Sequence, residues 1–163
     1  MNGIYLLLGS NMGNRLEYLR EAEKQLISRG VLVIDESSIY ETAPWGKSEQ
    51  DWFLNVVLQV ETTYSAEELL DILLETEKEL GRIREEKWGE RCIDIDILYY
   101  HNEKLETSKL TLPHPGISER RFTLIPLAEM CPLERHPISQ KTQMEMLAEC
   151  TDSLACNVTD YKL

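Results

Sequence analysis

The sequence predicts an α+β fold, an antiparallel sheet with helices packed on it and a C-terminal extension. Two observations carry this. Apolar runs and helical stripes follow one another as strand–helix–strand, strand–helix–strand, with little chain between the two units. Both helices also open on a capping residue and close on a glycine.

Ile4 to Leu8 is an apolar run ending at Gly9, which suits a buried first strand. Gly9-Ser10-Asn11-Met12-Gly13-Asn14 then reads as a tight turn. Its residue types suit phosphate held on backbone N–H groups and a purely structural turn equally well. Asn14 caps the first helix, with Glu17 at the answering position. Leu16, Leu19, Ala22, Leu26 and Ile27 form its apolar stripe, and Gly30 closes it. Val31 to Tyr40 reads as the second strand. A polar loop, Glu41 to Asp51, follows and carries Trp45, which suits either a core cap or a residue that closes over a ligand. Gly46-Lys47-Ser48 fails as a phosphate-binding P-loop, because Glu41 stands where its first glycine belongs. Trp52 to Thr62 is the third strand, with Asn55 in apolar surroundings, where it needs hydrogen-bond partners from backbone or ligand.

Ser65-Ala66-Glu67-Glu68 is a capping box. The helix it opens turns Leu69, Ile72, Leu73, Thr76 and Leu80 inward and ends at Gly81. Ile93 to Tyr99 is the fourth strand. This order matches a ferredoxin-like sheet with its helices on one face. Leu110 to Pro115 is extended, because each proline biases the preceding residue away from helix. Arg120 to Glu129 is helical or turn. The tail beyond Pro132 is weakly patterned, with a helix at Thr142 to Glu149. A length of 163 residues suits one domain, 1–163.

Net charge is −12 with 28% charged residues, which disfavours nucleic acid as a partner. The N-terminal apolar run is too short to span a bilayer and lacks the features of a signal peptide. The cysteines Cys92, Cys131, Cys150 and Cys156 show no zinc spacing and no disulfide density, which fits reduced thiols and a cytoplasmic location. The charges are uneven: Glu61 to Glu79 holds seven acids and one lysine, whereas Arg82 to Arg91 holds four bases and three acids.

The stretch R-I-R-E-E-K-W-G-E-R-C-I-D-I-D-I-L-Y, from Arg82 to Tyr99, concentrates the chemistry. Ile93, Ile95 and Ile97 share one strand face, and Asp94 and Asp96 share the other. The two aspartate Cα atoms lie roughly 7 Å apart. Hard oxygen donors at this spacing suit Mg²⁺, which completes its shell with water and phosphate. Arg82, Arg84, Lys87 and Arg91 just upstream suit phosphate oxygens, so the stretch points to phosphoryl-type transfer. The bare D-I-D triplet also suits an ordinary strand with solvated acids.

Four blocks in order resemble the 6-hydroxymethyl-7,8-dihydropterin pyrophosphokinase family. They are L-G-S-N-M-G-N-R; S-S-I-Y-E-T-A-P-W-G with F-L-N-V after it; G-R-I-R-E-E-K-W-G-E-R-C-I-D-I-D-I-L; and L-P-H-P-G-I-S-E-R-R-F-T-L-I-P-L. The resemblance runs from Leu8 to about Pro132. It implies an enzyme that moves the β,γ-pyrophosphoryl group of ATP onto a pterin hydroxymethyl oxygen and releases AMP. It implies two Mg²⁺ ions on Asp94 and Asp96, with Arg82, Arg91 and His114 along the phosphates. Arg84, Lys87, Ile97 and Arg120 match ATP-binding positions. Phe53 and Phe122 match the two faces of a pterin sandwich. Thr42, Pro44, Trp45 and Asn55 match other pterin-binding positions, and Trp88 matches a tryptophan that closes over the site. The implied partners are ATP and the pterin, bound by a monomer. Two positions depart from the family pattern: Glu90 stands where proline is common, and Asn14 where aspartate is frequent.

Two rivals fit parts of this sequence. A non-catalytic ligand-sensing module would not need the paired aspartates beside Arg82 and Arg91. A Mg²⁺-dependent nucleotidyltransferase would release pyrophosphate instead of AMP.

Overall fold

The computed structural model describes residues 1–46, 49–81 and 92–163. Strand β1 is Ile4–Ser10, helix α1 Arg15–Ser28, β2 Leu32–Glu36, β3 Tyr40–Thr42, β4 Phe53–Glu61 and α2 Ala66–Glu79. Then come β5 Asp94–Tyr100, β6 Leu105–Glu106, β7 Thr111–Leu112, a 3₁₀ turn at Ile117–Glu119, α3 Arg121–Met130, α4 Gln143–Glu149 and β8 Cys156–Val158. The main sheet runs β5-β1-β4-β3-β8, with β2 also on β4, and every pairing in it is antiparallel. The first two units therefore form the expected ferredoxin-like arrangement.

The local signals hold at the helix ends. Asn14 accepts the Glu17 N–H at 3.3 Å, without the return bond from the Glu17 side chain that would complete a capping box, and Gly30 and Gly81 take φ of 83° and 89°. Ser65 and Thr142 each form a capping box. Four expectations change. Gly9 and Ser10 belong to β1, so the turn starts only at Asn11. Ile27 is 46% exposed, because it sits in the last turn one step round from Leu26, where the inward stripe ends.

The expected second strand is two, β2 and β3, broken at Ser37. The Ser37 N–H donates to the Val57 carbonyl at 2.9 Å. Its hydroxyl accepts the Val57 N–H at 2.9 Å and donates to the Ser38 carbonyl at 2.8 Å. A serine side chain thus replaces one rung of the ladder, the competition with backbone that serine invites.

Helices also cover both faces of the sheet instead of one. Ile4, Leu6, Leu8, Val56, Leu58, Ile95 and Ile97 pack with Leu19, Leu26, Leu69 and Leu73 of α1 and α2. Tyr5, Leu7, Val57, Leu98 and Tyr99 pack with Ile117, Leu124, Leu127 and Met146 from the extension. The cause is in β1 and β4, which are apolar at successive positions, so each presents an apolar face on both sides. A register shift between β1 and β5 skips Leu98 and turns Leu98 and Tyr99 to the second face.

Candidate active site

Of the candidate site residues, Thr42, Phe53, Asn55, Asp94 and Asp96 lie on the second face, at one end of the sheet. Gly9 pairs with Asn55 on one side and with Asp94 on the other. Residues directly opposite in an antiparallel ladder share a face, so Asp94, Gly9 and Asn55 form one row across three strands. Neighbouring strands lie about 4.8 Å apart. Asp96 pairs with Leu7 in the next row of the same face. Asp94 and Asp96 are half-buried, while Ile93, Ile95 and Ile97 are buried on the opposite face, as the alternation predicts.

Gly9 matters for what it lacks. A Cβ there would sit 2.6 Å from Asn55 Oδ1 and 3.7 Å from Phe53 Cδ1. Glycine inside a strand here marks a close approach of side chains. Asn55 is buried, and its Nδ2 donates to Thr42 Oγ1 at 2.7 Å. Its amide is thereby oriented, Nδ2 toward β3 and Oδ1 toward β1. The turn before α1 is stapled to the far end of the β3–β4 loop. Asn11 Nδ2 donates to the Asp51 carbonyl at 3.2 Å and Arg15 Nη1 to the Trp52 carbonyl at 2.6 Å.

Sequence reasoning missed Glu77. This carboxylate, 2% exposed on α2, accepts the Ile95 N–H at 2.7 Å. Among the described residues β5 is the last strand on its side of the main sheet, so alternate N–H groups face outward and need partners. Glu77 answers the N–H lying between the two aspartates. A signal was present, since Glu77 follows Leu73 by four residues and so continues the inward stripe.

His114 connects the acids to the aromatic wall. Its backbone N–H donates to the Leu98 carbonyl at 2.9 Å, and its ring Nδ1 accepts the Gly116 N–H at 3.0 Å. The neutral ring therefore carries its proton on Nε2. Burial, reinforced by the Arg120 charge and opposed by Asp94, pushes the His114 pKa down to about 4. The Arg120 guanidinium lies 4.9 Å over the Trp45 ring and 6.0 Å from that of Phe122, within cation–π range. A Cβ on Gly116 would come within 2.8 Å of Arg120 Cζ, so glycine makes room for this side chain. Arg120 Nε is buried without a hydrogen-bond partner among the described residues.

The structure thus joins Thr42 to Asn55, sets Phe53 beside Gly9, groups Trp45 with Arg120 and Phe122, and couples His114 to Arg120 and Asp94. Pro44 is half-buried next to Trp45 in the chain. The Ile97 side chain is only 2% exposed, inside the core under α1 and α2, so a ligand at that position would meet its main chain. Arg82, Arg84, Lys87, Trp88, Glu90 and Arg91 lie outside the described residues, as do Lys47 and Ser48. Among the described residues no three His, Cys, Asp or Glu side chains gather as a metal cage. Two hard carboxylates on one strand face, without a third, fit Mg²⁺, which takes one or two carboxylates and fills the rest with water and phosphate.

Comparison with known proteins places the chain. Residues 5–132 match the family profile of 7,8-dihydro-6-hydroxymethylpterin-pyrophosphokinase (HPPK). A 2-amino-4-hydroxy-6-hydroxymethyldihydropteridine pyrophosphokinase of Bacillus subtilis is 44% identical over 89% of this chain and 89% of its own. The protein of the same name from Aquifex aeolicus is 42% identical over 93% and 94%. Among solved structures, Plasmodium falciparum HPPK-DHPS with pteroate superposes with a TM-score of 0.73 at 16% identity, over 91% of this chain and 42% of that one. This chain belongs to the 7,8-dihydro-6-hydroxymethylpterin-pyrophosphokinase family.

Proposed function

We propose that the end of the sheet carrying Asp94, Gly9 and Asn55 is where this chain performs its family's reaction. That reaction transfers the pyrophosphoryl group of ATP to 6-hydroxymethyl-7,8-dihydropterin in folate biosynthesis, giving AMP and the pterin diphosphate. The pterin hydroxymethyl oxygen attacks Pβ and gives up its proton. The bond from Pβ to the α-phosphate oxygen breaks, and AMP leaves with that oxygen.

The single observation that carries the reading is the row of Asp94, Gly9 and Asn55 across three strands. It puts the acidic pair and the Thr42, Asn55 and Phe53 side chains about two strand spacings apart, near 10 Å, on one face. Thr42 and Asn55 meet the pterin's polar edge, and the Thr42 bond holds the Asn55 amide in one orientation for it. Phe53 and Phe122 hold the two faces of the ring, which suits a flat heterocycle. Pro44 and Trp45 close the rim. Neutral His114 offers Nε2–H to a phosphate oxygen, and Arg120 supplies positive charge beside it. Asp94 and Asp96 hold two Mg²⁺ ions, which when bound neutralise the phosphate charge. Arg82, Arg84, Lys87 and Arg91 complete the phosphate contacts, Ile97 meets the nucleotide, and Trp88 closes over the site. No covalent nucleophile is required, because such a transfer depends on positioning and charge.

The whole chain, 1–163, works as one domain, supported by the return of the tail to β3. We place it as a monomer in the cytoplasm, away from nucleic acid and membrane. The charge of −12 argues against nucleic acid, and among the described residues no helix is long and apolar enough to cross a membrane. The test is incubation with ATP, Mg²⁺ and the reduced pterin alcohol. AMP should form only when the pterin is present. Pyrophosphate release would favour nucleotidyl transfer, and unchanged ATP would favour a binding module.

A further inference from the structure

Helix α3 begins at the aromatic wall of the site, yet its own sequence does not cap it. The capping position is Arg120, which has no side-chain oxygen to offer, and no side-chain bond is made there. The first helical N–H, that of Arg121, instead donates at 2.9 Å to Asp152 Oδ2, from a residue 31 positions further on. The other carboxylate oxygen of Asp152 accepts the Leu154 N–H at 2.9 Å. A carboxylate at a helix start is favoured both by the unpaired N–H and by the helix dipole.

The chain that follows Asp152 runs directly onto the opposite wall. The Ala43 N–H donates to the Ala155 carbonyl at 3.0 Å, and β8 pairs Cys156 with Thr42 and Val158 with Tyr40. At its other end α3 is tied to the same strand region by Glu129, which accepts from the Ser38 hydroxyl and the Tyr40 hydroxyl, both at 2.8 Å. A single short tail segment therefore grips the turn carrying Arg120 and Phe122 and the strand carrying Thr42. Both Asp152 and β8 lie beyond residues 5–132, where the family match ends.

We propose that Asp152, anchored to β3 through β8, is a positioning residue for the pterin slot. It fixes the first turn of α3, and with it the distance between Phe122 and the Thr42–Asn55 wall. The proposal rests on the assignment of Phe122 and Thr42 to the pterin slot made above.

The test uses the full-length protein and calorimetry with the reduced pterin alcohol and, separately, with a non-hydrolysable ATP analogue and Mg²⁺. Asp152→Ala should raise the pterin Kd by roughly three- to tenfold, the part of a lost cap that the ligand must restore. The nucleotide Kd should move by less than about twofold, and in turnover the change should fall on the pterin KM more than on kcat. Asp152→Asn keeps one acceptor oxygen and should fall between wild type and Asp152→Ala. If Asp152→Ala lowers the Tm but leaves the pterin Kd unchanged, or weakens nucleotide equally, the positioning role is refuted and the contact is structural only. Phe122→Ala is the reference. Weakened pterin binding in Phe122→Ala without any effect of Asp152→Ala refutes this inference alone. Unchanged pterin binding in Phe122→Ala refutes the slot assignment and the inference with it.

Discussion

Gly9→Ala is the smallest change that should disturb the site. The added Cβ would lie 2.6 Å from Asn55 Oδ1, where ordinary contact begins at 3.4 Å, so the oxygen must retreat by about 0.8 Å. Gly9 lies on one side of β4 and Thr42 on the other. Retreat from Gly9 therefore drives the amide toward Thr42, across a bond already at 2.7 Å. The side chain cannot take up the shift in that direction. It must swing away, and the buried Asn55–Thr42 bond is lost. Leaving buried polar partners unsatisfied costs about 1–3 kcal/mol. Alanine in a strand interior recovers roughly 0.5–1 kcal/mol of the cost of glycine. The net loss is then up to about 2.5 kcal/mol, or up to roughly 10 °C in Tm for a chain of this size. Pterin affinity should fall, because Asn55 no longer points one way, and nucleotide affinity should hold. The decisive assay is a cycle of thermal or urea melts on Gly9→Ala, Asn55→Ala and the double variant. With Asn55 truncated there is nothing to clash with, so adding Gly9→Ala should cost close to nothing. Additive losses in the double variant would refute the steric argument.

Two further predictions concern charge. Wild type should gain up to about 4 kcal/mol of stability from Mg²⁺ and a non-hydrolysable ATP analogue at a thousandfold excess over Kd; Asp96→Asn should gain far less and turn over orders of magnitude more slowly, and equal gains in Tm would remove Asp96 from the metal site. His114 titrates near 4 in the folded chain against an ordinary 6.5, so across that window the unfolded chain binds the extra proton. Stability from this group is then complete above pH 6.5 and lost as pH falls toward 4, by up to about 3 kcal/mol. His114→Asn should flatten that part of the pH profile in urea melts, and an unchanged slope would contradict the burial of a neutral ring.

What could be read from the sequence was whatever is settled within a few residues. The caps at Asn14 and Ser65 are bonds between neighbours in the chain, and both form; the tail helix expected from Thr142 opens there on a capping box of its own. The alternation of Ile93, Ile95 and Ile97 with Asp94 and Asp96 follows from the two-residue period of a strand, whatever lies around it. Cover on both faces was also legible in principle, from the successive apolar residues of β1 and β4. Other features depend on which distant segments meet. Gly9 looks like a turn residue until Asn55 and Phe53 arrive on the neighbouring strand. Ser37 breaks a strand because Val57 lies opposite its hydroxyl. Glu77 is buried without loss because the outer edge of β5 presents an N–H to it, and Asp152 caps a helix that begins 31 residues earlier. Periodicity and capping act over one turn or one pleat, so the chain alone determines them; register and the pairing of buried polar groups exist only between segments, and tertiary packing decides those.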